Sequence, residues 1–203
     1  MPEQLKLGVI GTGQIGKRHL RRYEDIEGAR VIAVCDVDED EARRVAEQHD
    51  IPHTFTDFRE LLALEQIAAV DVCLHNNLHA PVSMAAMDAG KHVYCEKPLA
   101  GSYADARCMV DKSEESGRML SMQLGSLFSK QTAAARRLIE DGYLGKPYYA
   151  KSSAYRRRGR PFVDGYGTSS FVRREVSAGG ALFDMGVYHI SQILYLLDNP
   201  TVL

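Results

Sequence analysis

Through residues 5–122 the chain alternates short, nearly continuous apolar runs with longer segments whose apolar positions recur every three or four residues. The runs are LKLGVI, RVIAVCD, HTFTD, AAVDVCLHN, KHVYCEKP and RMLSMQLGS. Continuous hydrophobicity marks strands buried on both faces, and the intervening periodicity marks helices. The helical segments run from Gln14 to about Ile26, then DEDEARRVAEQHD, FRELLALEQI, PVSMAAMDAG closed by Gly90, and ADARCMVDKSEESG. In FRELLALEQI the apolar set is Phe58, Leu61, Leu62 and Ile67. Six strands alternating with helices predict an α/β fold, a parallel, doubly wound sheet covered on both faces.

The pattern then changes. KQTAAARRLIED predicts a helix over 130–141, and PYYAKSSAYRRR alternates like a strand of an antiparallel or mixed sheet. Residues 159–178 read as a long loop. Gly179-Gly180 opens a closing helix, ALFDMGVYHISQILYLL. The chain is therefore read as two domains, 1–124 and 125–203, the second being the start of another α/β (α+β) domain.

Composition narrows the function classes. Of 203 residues 45% are hydrophobic, enough for a core, and the net charge of −2 gives no electrostatic reason to expect nucleic acid as a partner. No apolar run approaches a membrane span. Cys35, Cys73, Cys95 and Cys108 show no CxxC pairing, and three lie in apolar runs where a thiol behaves as a small core residue. A cytoplasmic setting is expected, and no metal site.

The first candidate chemistry lies at the first turn. Gly11, Gly13 and Gly16 follow a strand and open a helix, with Gln14 and Ile15 between them. In such a unit the first glycine allows the tight turn, the second lets a pyrophosphate approach the backbone, and the third lets helix and strand pack closely. The helix start is an anion site. Asp36 ends the second strand twenty residues after Gly16, where a dinucleotide fold places the carboxylate for the adenosine ribose. Asp38 is read as the cap of the next helix. A carboxylate at Asp36 repels a 2′-phosphate and Val37 supplies no arginine, so NAD is favoured over NADP. Ligands of doubly wound sheets sit at the strands' carboxyl ends, which adds His75, Asn76, Asn77 and 96–98.

AGKHVYCEKPLA (89–100), after the GxGxxG unit and a helix opening with His79-Ala80-Pro81, resembles the glucose–fructose oxidoreductase/inositol dehydrogenase (Gfo/Idh/MocA) family. The resemblance runs from Leu5 to the end of the chain. It implies a Rossmann-type NAD-binding domain followed by a substrate and oligomerisation domain, truncated here, and a homo-oligomer. It also implies a catalytic role for Lys97, whose cation would stabilise a developing alkoxide, with Glu96 near the nicotinamide ribose. Where the family usually shows T-P-N after its fourth strand, this chain has Leu74-His75-Asn76, keeping the asparagine.

The family's second signature, D-x-G-x-H after a glycine-rich entry, falls on Asp184, with Tyr188 at the fifth position and His189 next. At ~100° per residue, Asp184, Tyr188, Ser191 and Tyr195 share one polar stripe, and His189 lies on a largely apolar one. Tyr188 is the preferred acid/base and His189 the alternative, with Asp184 bonding the substrate or orienting the base. Ser191 stands where the family often has Asp. Arg156, Arg157, Arg158, Arg160, Arg173 and Arg174 read either as a solvated face or as a site for a substrate carboxylate or phosphate. The expected function is an NAD-dependent oxidoreductase moving a hydride between a sugar, cyclitol or related polyol and nicotinamide. Two alternatives stand beside it, a redox-neutral NAD-dependent glycosidase and a non-enzymatic dinucleotide-binding regulator.

Overall fold

The computed structural model describes residues 4–155 and 168–201. Arg156, Arg157, Arg158 and Arg160 lie outside the described residues. The six strands are β1 (Leu5–Ile10), β2 (Ala29–Cys35), β3 (His53–Phe55), β4 (Ala69–Val72), β5 (His92–Cys95) and β6 (Leu120–Met122). They form one sheet in the order β3-β2-β1-β4-β5-β6, parallel throughout. This is the Rossmann order, and it reverses between β1 and β4. In sheets of this order a ligand binds at such a reversal, outside the strands' carboxyl ends.

The central strands are covered on both faces. Val9 and Val34 pack with Leu20 and Val45 on one side, while Ile10, Ala33 and Cys35 pack with Leu61, Ile67 and Met87 on the other. Successive strand residues enter opposite cores, so no position along the run could be polar without compensation. The layers are completed by α1 (Gln14–Tyr23), α2 (Glu39–Gln48), α3 (Phe58–Leu62), α4 (Asn76–Asp88) and α5 (Tyr103–Ser116). Asp38 caps α2, its carboxylate accepting from the Glu41 amide at 3.1 Å. Gly90 closes α4 with φ of +76°.

Helix boundaries moved where local signals misled. The fourth helix starts at Asn76, not at His79 or Pro81, so that Pro81 lies inside it. Pro81 and Asn77 are both exposed, so the helix bond that proline forfeits falls on the watered side, where the loss is least. The third helix stops at Leu62, although Ile67 beyond it is buried.

Backbone contacts divide the chain into Met1–Met122 and Gln123–Leu203. The second unit holds α6 (Lys130–Glu140), α7 (Arg174–Ser177) and α8 (Val187–Leu196), with 3-10 turns at Gly125–Phe128 and Ser169–Val172. Thr132 of α6 accepts from Gln192 of α8 at 2.9 Å, and Arg136 donates to the Tyr195 carbonyl at 2.9 Å. Three expectations are corrected here. Residues 147–155 form no strand, because alternation supplies a face but a strand exists only when a second chain segment pairs with it. The described part of 159–178 is not loop throughout, since a 3-10 turn and α7 occupy it. The closing helix begins as a π-helical segment, Leu182–Gly186, before α8. Its bonds span five residues, not four, so 100° per residue does not hold across Asp184. Among the described residues no helix is long and apolar enough to cross a membrane.

Candidate functional site

The turn after β1 is built by exclusion. Gly11 has φ of +97°, and a Cβ there would overlap the Cys73 carbonyl oxygen at the end of β4. A Cβ on Gly16 would overlap the Gly11 carbonyl oxygen, which sets how closely α1 lies on β1. At Gly13 the same atom would meet nothing within 4 Å. Two glycines are therefore required by packing, and the third presents open backbone. Gly13 is also the N-cap of α1 and brings no side chain to it, and the first turn contains no acid. Gln14 is exposed and Ile15 half-buried.

Asp36 follows the last residue of β2 and is tied to this turn. Its Oδ2 accepts from the Thr12 amide at 2.8 Å and from the Thr12 hydroxyl at 2.9 Å. Its Oδ1 accepts only a longer bond, 3.2 Å, from the Asp38 amide. A carboxylate oxygen has two acceptor positions, so Oδ1 keeps capacity for an outside hydroxyl. Thr12, wholly buried, is a residue that sequence reading missed; its signal was only its place between two turn glycines.

On the other side of β1, Asn76 begins α4 and is buried. Glu96 follows β5 and is also buried, while Lys97 is half-buried and joined to Pro98 by a cis peptide. Neighbouring strands β2, β1, β4 and β5 thus bring Asp36, Gly11 to Gly16, Asn76 and Glu96-Lys97 to one edge of one sheet. In the second unit Asp184 lies in the π segment and Tyr188 and His189 in α8, all half-buried. His189 Nδ1 is 2.6 Å from the Ser152 hydroxyl. No described residue of α8 is fully buried, so the stripe bearing His189 is not the sealed apolar face its sequence suggested. Ser191 is satisfied by its own helix, donating to the Val187 carbonyl at 2.7 Å.

A buried polar cluster behind the Lys97 segment was also missed. His19 of α1 sits between two carboxylates, Nδ1 2.8 Å from Asp71 Oδ2 and Nε2 3.1 Å from Glu96 Oε1. Burial alone would lower its pKa, but the bonds and charges of Asp71 and Glu96 outweigh this and raise it to about 9. Asp71 also accepts from the Tyr23 hydroxyl at 3.0 Å and the Cys73 thiol at 3.4 Å. Burial, then the Asp71 charge, pushes both of those groups up. The signal was available: a charge in the middle of AAVDVCL must be paired. A second buried histidine, His79, has Nδ1 2.7 Å from the Pro98 carbonyl and Nε2 3.0 Å from the Leu74 carbonyl. Burial lowers its pKa.

Residues 5–124 match the model of the oxidoreductase family with an NAD-binding Rossmann fold, and 132–203 match the GFO/IDH/MocA C-terminal domain. The chain belongs to the Gfo/Idh/MocA oxidoreductase family. Among relatives of this Gfo/Idh/MocA chain, D-glucoside 3-dehydrogenase of Escherichia coli is 32% identical over 199 residues, covering 98% of this chain and 55% of that protein. Myo-inositol 2-dehydrogenase of Thermotoga maritima is 28% identical, covering 96% and 55%. A crystal structure of a probable dehydrogenase from Thermotoga maritima superposes with a TM-score of 0.82 at 28% identity, over 96% of this chain and 55% of that one. The chain thus spans about half the length of the relatives it matches. The residues present fit a dinucleotide: open backbone at Gly13, an N-cap with no side chain in the way, and spare acceptor capacity on Asp36.

Proposed function

We propose that this chain carries the NAD-binding domain, 1–124, and part of the substrate and oligomerisation domain, 125–203, of an NAD-dependent dehydrogenase. Its substrate would be a sugar, cyclitol or related polyol. The observation that carries the reading is the shared edge, where Lys97 stands two strands from the glycine turn and three from Asp36. The names of the sugar and inositol dehydrogenases among its relatives support the substrate class, and they favour net oxidation over a redox-neutral glycosidase or a regulator.

In this reading the Gly11–Gly16 backbone holds the pyrophosphate and Asp36 accepts from the adenosine ribose hydroxyls. Asn76 and Glu96 lie on the nicotinamide side. When bound, the nicotinamide supplies the acceptor for the hydride leaving the carbinol carbon. The Lys97 ammonium stabilises the oxygen as its negative charge grows. Tyr188, or His189, takes the hydroxyl proton, and Asp184 bonds the substrate or orients that base. The product is the corresponding ketone.

Further parts of this reading are a cytoplasmic location and homo-oligomerisation. Four free cysteines, three of them buried, support a reducing compartment. A net charge of −2 gives no basic footprint for nucleic acid. Light scattering on the eluted full-length protein tests the assembly.

The deciding experiment is a screen of sugars and polyols with NAD and NADP, following absorbance of the reduced nicotinamide. Accumulation of NADH with at least one polyol is expected. Failure to bind either dinucleotide overturns the reading, and a preference for NADP contradicts the role given to Asp36.

A further inference from the structure

Lys97 belongs to a segment that follows a strand end, yet a lysine that stabilises one particular oxygen must be held in place. The structure shows what holds its backbone. The Lys97 amide donates to its neighbour Glu96, to Oε2, at 2.9 Å. The other oxygen of that carboxylate, Oε1, faces His19 Nε2 at 3.1 Å. His19 Nδ1 in turn faces Asp71 Oδ2 in the middle of the sheet at 2.8 Å. One unbroken run of polar contacts therefore joins the helix that begins at the glycine turn, the central strand β4 and the segment bearing Lys97.

The protonation state matters to this run. A neutral imidazole donates from one nitrogen only, whereas both ring nitrogens here face carboxylate oxygens. Only the imidazolium satisfies Asp71 and Glu96 together. The groups packed around it are the Tyr23 hydroxyl from α1, Asp71 and the Cys73 thiol from β4, and Tyr94 and Glu96 from β5 and the residue after it. The rings of Tyr94 and His19 lie 6.1 Å apart, tilted by 33°. Among these described groups the two carboxylates are the anions and His19 the cation, so removing it leaves two buried negative charges facing each other.

We infer that His19 is a positioning residue for Lys97, acting through Glu96, and that it couples the seating of the glycine-turn helix to the geometry of the Lys97 segment. This rests on the catalytic reading of Lys97 given above. His19 touches neither substrate nor cofactor in this role. It fixes the carboxylate that fixes the Lys97 backbone, and a change of about 1 Å there is enough to cost about a hundredfold in rate.

The test uses the full-length enzyme and two readouts. In His19→Gln, kcat should fall about 10–100-fold, as for other residues that orient a catalytic group, while the NAD dissociation constant changes less than about threefold. Hydrogen exchange of the Lys97 amide should quicken at least about tenfold, with the Val9 and Val34 amides unchanged. Glu96→Gln should reproduce the kcat loss, and the double variant should be no worse than about threefold below either single one. Unchanged exchange at Lys97, exchange that quickens uniformly across the sheet, or single losses that multiply in the double variant each overturn the role of His19. If His19→Gln does not fold, Glu96→Ala carries the exchange test alone, and unchanged Lys97 protection in it overturns the proposal. Lys97→Met separates the two ideas. Full activity in that variant overturns the catalytic reading of Lys97, whereas the exchange result still decides whether His19 holds the segment.

Discussion

Asp36 is bound to Thr12 and, in the proposed reading, also takes the adenosine ribose, so its loss should be felt at both. Its Oδ2 is committed to Thr12 by two bonds and its Oδ1 holds the capacity for a ribose. Bonds to a charged acceptor are worth about 1.5–3 kcal/mol, so Asp36→Ala should raise the KM for NAD about 10–100-fold with a smaller effect on kcat. Steady-state kinetics at saturating polyol checks this, and an unchanged KM would remove Asp36 from the site. Lys97→Met should lower kcat by about 10²–10³-fold, the usual effect of removing one donor to a developing oxyanion. Gly16 is legible from its spacing alone, and the structure supplies the reason: a methyl group there would overlap the Gly11 carbonyl oxygen. The atom it would meet is backbone, which yields less readily than a side chain. Gly16→Ala should therefore destabilise the protein by about 1–3 kcal/mol, read as a lower urea midpoint, and should weaken NAD binding as α1 is pushed from β1.

At the scale of elements, the six strands of the sheet were legible, and so were the starts of α1, α3 and α6 at Gln14, Phe58 and Lys130, but not that of α4. Strand runs such as RVIAVCD announce themselves because both faces are buried. The start of α4 was hidden by Pro81, whose exclusion from helices is a local rule that solvent exposure relaxes. The closing helix was legible as a helix, but the π turn at Leu182–Gly186 was not. The contact of α1 with β4 and β5 through His19 carries a pH dependence. Its folded pKa of about 9 lies above the ordinary 6.5, so the folded state binds a proton the unfolded chain has lost. The resulting stabilisation is complete below about pH 6.5, fades through the window to about 9 and is absent above it, amounting to about 3 kcal/mol. Urea unfolding at pH 6 and pH 9.5 should show a fall in wild type that is smaller in His19→Gln. Equal falls in both would assign the pH dependence to other groups.

For the whole molecule, a ligand that binds only the folded state stabilises it by mass action. NAD at a hundred times its dissociation constant should add about 2.7 kcal/mol, seen as a rise in melting temperature, and NADP at the same concentration should add much less. A shift of equal size with both would mean that Asp36 does not discriminate. The amino-acid sequence by itself determined the parallel α/β architecture, the glycine turn, Asp36 and the Lys97 segment. Each depends on local spacing or on burial that shows as composition. Only the tertiary structure decided that residues 147–155 form no strand, that Thr12 binds Asp36, and that His19, Asp71 and Glu96 meet. Asp71 lies fifty-two residues from His19 and twenty-five from Glu96. No period along a chain encodes such a meeting, because it is made by the order in which strands are laid side by side.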